Sequence, residues 1–283
     1  MSESNPRIYK VILMILPVGV VIGTIIFMYM YFHNERRDEQ NHAVIASHGL
    51  RVDDLQDMVG KFSNRIGVRA VDSEEGRRGL VAAASMIEGR LGPQNVGFPV
   101  KKSEGQASHG RLWKALWVDI RGSEDPESII FAAVSFSGAG EMADANTVSS
   151  MVMLASTMAR EVPERTIRFV FLPLDLSPSE QNRWLLERCL NDGERCDGIV
   201  GLKEMQGELA VGDGAWQAEA GSDSQWWQYL QDQSSRPETE APAVWLSHPV
   251  FSPDTWKGQD DKRLQKTIEA AGSMKEWLKR AAK

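Results

Sequence analysis

The sequence predicts an α/β protein with a mostly parallel central sheet flanked by helices, preceded by one N-terminal transmembrane helix. Three observations carry this expectation. Two apolar runs, IIFAAV at 129–134 and FVFLPL at 169–174, are continuous, as strands buried on both faces tend to be. Between them, TVSSMVMLASTMARE reads as a helix of small and apolar residues, and a strand-helix-strand unit with its helix in the crossover implies parallel pairing. Lastly, Val11 to Phe32 is a stretch of 22 residues without a charge.

At about 1.5 Å rise per residue, that stretch spans the roughly 30 Å hydrocarbon core of a bilayer. A cleaved signal peptide would carry a shorter apolar core and a small-x-small cleavage site, but here the run ends in MYMYFHNERR. Tyr29, Tyr31 and Phe32 suit an interfacial belt and Arg36 and Arg37 a hydrated flank. Pro17 and Gly19 could kink the helix without preventing the span. Orientation is nearly balanced, since Arg7 and Lys10 on one side oppose Arg36 and Arg37 on the other. Glu35, Asp38 and Glu39 dilute the second pair and favour the N-terminus inside. The expected layout is a short cytoplasmic tail at 1–10, the membrane helix at 11–32, a juxtamembrane stalk at 33–49 and an α/β domain at 50–283. The expected address is the cytoplasmic (inner) membrane, single-pass, with the C-terminal domain on the periplasmic or extracytoplasmic side.

Composition sets further bounds. With 39 acidic against 32 basic residues and a formal charge of −7, the chain lacks the basic face a nucleic-acid binder needs, so no nucleic acid is expected as a partner. Three of five histidines, His33, His42 and His48, lie in the stalk, where their irregular spacing without cysteines reads as a solvated tether and not a metal tract. Cys189 and Cys196 bracket RCLNDGERC; in an oxidising compartment they could close a disulfide, and otherwise they are two reduced thiols.

The elements follow in order. Leu50, Leu55, Met58, Val59 and Phe62 approximate one helical face. After the turn SNRIGVRAVD a second helix opens at Asp72 or Ser73, with Glu74 and Glu75 in its first turn, and stops at Gly92-Pro93. VGFPVKK, RLWKALWVDIRG and IIFAAVSF are candidate strands, the last two joined by the polar turn GSEDPES. A helix over 179–190 and a short strand in CDGIVGLKEM come next. SQWWQYLQD reads as a helix, AVWLS as a strand, HPVFSPDTWKGQDD as a loop and KRLQKTIEAAGSMKEWLKRAAK as a closing helix.

Four blocks carry a resemblance. WVDIRGSEDPESIIFAAVSFS, MADANTVSS, ERTIRFVFLPLDL and HPVFSPDTWKGQDDKRL resemble, in order and character, blocks of the zinc aminopeptidase-like fold of peptidase family M28. The likeness spans roughly residues 50–205 and 241–282. It implies a zinc-exopeptidase-like sheet and, for active members, two neighbouring zinc ions held by His and carboxylate with a Glu as general base.

Matched position by position, that ligand set is largely missing. The His and Asp of the first block fall on Ser135 and Ser137, and the bridging Asp of the second on Ala145, beside Asn146. A shift of one residue would offer Asp144 as the bridge. The paired glutamates of the third block fall on Asp175 and Leu176, and the ligand Asp of another strand falls on Lys203 or Glu204 in GLKEM. Only His248 keeps a ligand identity. A neutral hydroxyl is a poor zinc ligand, and alanine and leucine have no donor atom. Neither Ser135 nor Ser137 sits in a G-x-S-x-G elbow that would suit a nucleophile.

The sequence therefore predicts a membrane-anchored, catalytically inactive M28-like protein with no cofactor and no catalytic or metal-binding residues. It would serve as a binding or assembly subunit of a membrane complex, its partners the lipid bilayer and other membrane or extracytoplasmic subunits. The alternative is a residual zinc-dependent aminopeptidase or cyclase with a reduced or relocated site built on His248 and Asp175. Trp216, Trp226, Trp227 and Trp245 either form an interaction surface or fill the core. Gly19 and Gly23, four apart, could pack the anchor against another helix.

Overall fold

The computed structural model describes Thr24, Ile26, Met28 and residues 50–106, 112–174, 176–204, 216–232, 235–237, 239–252 and 261–283. Nearly all of the 11–32 span falls outside these, although Thr24, Ile26 and Met28 are helical and exposed. Among the described residues no helix is long and apolar enough to cross a membrane.

Seven strands form one sheet in the order β1-β2-β4-β3-β5-β7-β6. They are β1 (Lys101–Gln106), β2 (Leu112–Ile120), β3 (Asp125–Ser135), β4 (Arg165–Leu172), β5 (Arg195–Leu202), β6 (Gln217–Ala218) and β7 (Ala243–Ser247). The four central strands, β4, β3, β5 and β7, are parallel, whereas β1, β2 and β6 pair antiparallel. The sheet is thus mixed, a correction to the mostly parallel sheet expected. Only the central strands carry the continuous apolar runs from which parallel pairing was read. The edges hold polar sequences such as KKSEGQ, whose direction no hydrophobic pattern encodes.

Helices α1 (Val52–Gly60), α2 (Glu74–Leu91), α3 (Met142–Met158), α4 (Pro178–Arg188), α5 (Ser224–Asp232) and α6 (Asp261–Ala281) surround the sheet. One π-helical turn, Lys61–Ile66, extends α1. Helices α1, α2, α3, α5 and α6 contribute to the main core cluster on one face, whose sheet residues include Ile130, Ala132, Val134, Phe169 and Phe171. Helix α4 covers the other face, where Leu185 and Cys189 pack with Trp117, Phe131, Val170 and Trp245.

Local chemistry explains several boundaries. Ser73 caps α2, its Oγ accepting from Gly76 N at 2.9 Å. Pro178 opens α4 after Ser177, whose backbone N–H donates to Glu180 at 3.0 Å. Helix α3 is buried almost all round, which its run of Ala, Ser, Met and Val permits because no polar stripe needs water. It runs from the carboxyl end of β3 back to the start of β4, completing the crossover. The segment VGFPV is not a strand. It turns after α2, with Asn95 N and Gly97 N both donating to Gly92 O at 3.0 Å, and Pro99 has no N–H for a ladder.

Candidate functional site

In a parallel α/β sheet, groups that act on ligands collect at the carboxyl ends of the strands. Here β3 ends at Ser135 and its chain continues through Phe136, whose N–H donates to Leu172 O at 2.8 Å, binding the ends of β3 and β4 together. The hydroxyls of Ser135 and Ser137 lie 2.7 Å apart, and Ser137 N donates to Ser135 Oγ at 3.2 Å. Gly138 then pairs with Arg69 through Arg69 N to Gly138 O at 2.8 Å and Gly138 N to Arg69 O at 2.9 Å.

That pairing brings the Arg69 side chain under the loop. Fully buried, it donates from Nε to Phe136 O at 2.7 Å and from Nη1 to Phe62 O and Gly67 O at 3.0 and 2.8 Å. From Nη2 it donates to Asp144 Oδ1 at 2.6 Å. The second carboxylate oxygen accepts from Gly140 N at 3.0 Å and Glu141 N at 3.3 Å, capping the start of α3. Gly138 has to be glycine because a Cβ there would stand 2.1 Å from Asp144 Oδ2. The Asp144 carboxylate is thus committed to a guanidinium and a helix terminus.

Ser135, Ser137, Asp144, Lys203 and Glu204 line one cavity with Thr147 and Gln181, of only about 30 Å³. A space of that size holds a water molecule or so. Lys203 Nζ donates to Leu176 O at 3.1 Å. Among the described residues neither polar atom of the fully buried Gln181 amide has a partner, so the cavity is its natural source of a hydrogen bond.

The remaining matched positions diverge. Ala145 is buried in the main core. Asn146 Nδ2 reaches Val250 O and Thr267 Oγ1, both at 3.1 Å, which ties α3 to the 3₁₀ turn Pro249–Phe251 and to α6. His248 does not line the cavity. Its Nδ1 accepts from Val250 N at 3.2 Å and its ring packs edge-on against Trp216, with centroids 5.1 Å apart. Asp175 lies outside the described residues.

These residues do not fit the zinc pair that the resemblance implies. The two serines bond to each other, Ala145 and Leu176 have no donor atom, Asp144 already holds Arg69, and His248 is turned into an aromatic cluster. Among the described residues no three His, Cys, Asp or Glu side chains converge as a metal site. Arg69 is the functionally placed residue that sequence reasoning missed. Its one signal is a cation set between the apolar Val68 and Ala70 in the turn SNRIGVRAVD.

Two further sets of expected residues are placed by the structure. Cys189 and Cys196 are not joined: both are free thiols, the first buried and the second half-buried, in place of the disulfide their spacing allowed. Their connecting loop is held by Arg168, which donates to Cys189 O and, at 2.7 and 2.9 Å, to Glu194. Burial pushes both thiols up to about 12. Of the four tryptophans, Trp226 and Trp245 are core, with Trp245 Nε1 donating to Asn182 at 2.7 Å. Trp216 and Trp227 are half-buried and stand edge-on to Trp277 of α6, at 5.2 and 4.9 Å.

The α/β fold, a mixed sheet flanked by helices, is like that of zinc exopeptidases. No family model matches the chain, and no curated protein matches its sequence. Solved structures do match. A zinc aminopeptidase from Bacillus subtilis shares 9% identity over 83% of this chain and 95% of its own, with a TM-score of 0.57. For a glutaminyl cyclase from an Acidobacteriales bacterium the figures are 11%, 84%, 96% and 0.56. For a Zn-dependent exopeptidase from Parabacteroides distasonis they are 12%, 82%, 99% and 0.52. At these identities the likeness is one of fold.

Proposed function

We propose that this chain is a catalytically inactive member of the zinc exopeptidase fold, anchored in the cytoplasmic membrane by residues 11–32. In this reading it serves as a binding or assembly subunit of a membrane complex, with its α/β domain on the extracytoplasmic side. One observation carries the loss of catalysis: the end of β3, where the fold places its chemistry, is closed around the Arg69–Asp144 ion pair at 2.6 Å. A covalently attached cation holds together the loop ends that bound metal would otherwise organise, so the fold persists without the reaction.

The half-buried Trp216, Trp227 and Trp277 supply the best candidate contact surface, since large aromatics of this kind dominate interface energetics. With both thiols free, the orientation rests on the charges flanking the apolar span alone.

Copurification of the tagged full chain from detergent, with crosslinking, tests the subunit role. A stoichiometric partner that is lost with Trp216→Ala and Trp227→Ala is expected, and a chain that runs alone without crosslinks defeats it. Metal analysis of the same preparation tests the inactivity. Stoichiometric zinc, lost together with hydrolytic or cyclase activity on His248→Ala, would establish the residual-enzyme alternative.

A further inference from the structure

A groove of about 580 Å³ opens at the end of the sheet opposite the closed site, where β3 and β4 begin and β2 stops. A space of this size suits a small ligand. Val96, Phe98, Pro99, Pro126 and Ala159 give it an apolar lining. Of the charged side chains that line it as well, four cancel. Lys101 meets Asp119 at 2.9 Å, and Arg168 is shared between Asp119 at 2.6 Å and Glu194 at 2.7 Å. Two cations and two carboxylates leave that part of the groove without net charge.

The remaining charges are Arg121 and Glu127, both exposed. Among the described residues neither side chain has a hydrogen bond or an ion pair, so they do not pair with each other. The backbone fixes where they stand. Arg121 follows the last residue of β2 and Glu127 lies near the start of β3, and β4 runs between those two strands in the sheet. From β4, the Thr166 hydroxyl accepts from Gly122 N at 3.0 Å and donates to Pro126 O at 2.8 Å, which ties the neighbour of each charged residue to one atom. Glu164 O holds the connecting turn by accepting from Glu124 N and Asp125 N at 3.1 and 2.9 Å. One rigid base thus carries a cation and an anion that cannot satisfy each other, on a groove with apolar walls. Such a base is preorganised for a molecule with an anionic and a cationic end joined by a hydrocarbon spacer.

We infer that this groove binds a linear ω-amino carboxylate, its carboxylate on Arg121, its ammonium on Glu127 and its methylenes against the apolar lining. The site lies away from the closed one and does not depend on the function proposed above. The probe is 6-aminohexanoate, titrated by calorimetry into the full chain in a nonionic detergent, with detergent alone as blank.

Saturable binding is expected, with hexanoate and hexylamine each about fivefold weaker because each gives up one of two exposed charge contacts. Glycine, whose charges are too close together to reach both groups, is weaker by at least as much. Glu127→Gln lowers the affinity for 6-aminohexanoate about fivefold and leaves that for hexanoate unchanged. Arg121→Gln does the same with hexylamine as the unchanged ligand. Both positions are exposed, so both variants keep the fold. The inference is overturned if 6-aminohexanoate does not bind saturably, if hexanoate, hexylamine or glycine binds as well as it does, or if either variant binds it like the parent.

Discussion

Arg69 and Asp144 meet at 2.6 Å with side chains 0% and 5% exposed, and their pairing stitches together the first helical segment, the loop after β3 and the start of α3. Removing one partner strands the other as a buried, unpaired charge. Arg69→Met and Asp144→Leu should each destabilise the chain by about 3–5 kcal/mol. The double variant should lose clearly less than the sum, since the stranded charge is gone. Chemical denaturation of the four chains checks this; additive losses would show that the pair is not coupled.

Glu194 sets an acid limit. Burial works to raise its carboxyl, but hydrogen bonds from Arg168 and Asn191 outweigh it and hold the group at about 2, below the ordinary 4.5. A lowered folded-state value contributes stability that is present above about 4.5 and lost as pH falls toward 2. The contribution is at most about 3 kcal/mol. Stability of the parent minus that of Glu194→Gln should shrink steadily from pH 5 to pH 2, and a flat difference would discount the interaction.

The two cysteines should be silent in the folded chain. With both thiols pushed up to about 12 by burial, almost no thiolate exists at pH 8. A chromogenic disulfide reagent should find no reactive thiol in the native protein and two after unfolding in guanidinium without reductant. A count of two that appears only after reduction would mean that a disulfide had formed.

Neighbouring tryptophans should differ in their effect. Trp226 is fully buried beneath β5, with Nε1 donating to Ile199 O at 3.2 Å, and Trp226→Ala should cost about 3–5 kcal/mol. Trp227, half-exposed against Trp277, should cost roughly 1–2 kcal/mol. Thermal melts of the two variants separate core filling from surface display.

What could be read beforehand depended on how far apart the interacting residues lie. SQWWQYLQD and AVWLS are observed as α5 and β7 with the limits expected, because hydrophobic period and turn residues act within a few positions. The cap at Ser73 and the stop at Gly92 are similarly local. The direction of β1, β2 and β6 depends on long-range pairing and was not visible. In the site, the weakness of Ser135, Ser137, Ala145 and Leu176 as zinc ligands is read from residue type alone, since a neutral hydroxyl binds zinc poorly and alanine and leucine carry no ligand atom. The Arg69–Asp144 pair is not read that way, since 75 positions separate two residues that each look ordinary alone.

Asn146 bears on how the protein is made. Its amide bonds Val250 and Thr267, 104 and 121 positions further along the chain, while the backbone N–H groups of Glu164 and Arg165 wait for Ala282. During synthesis the central helix is therefore left with an unsatisfied polar group until the last helix has emerged. Closure of this core therefore waits on α6, and a chain cut before α6 is expected to be an unfinished domain with an open core for chaperones and proteases to find.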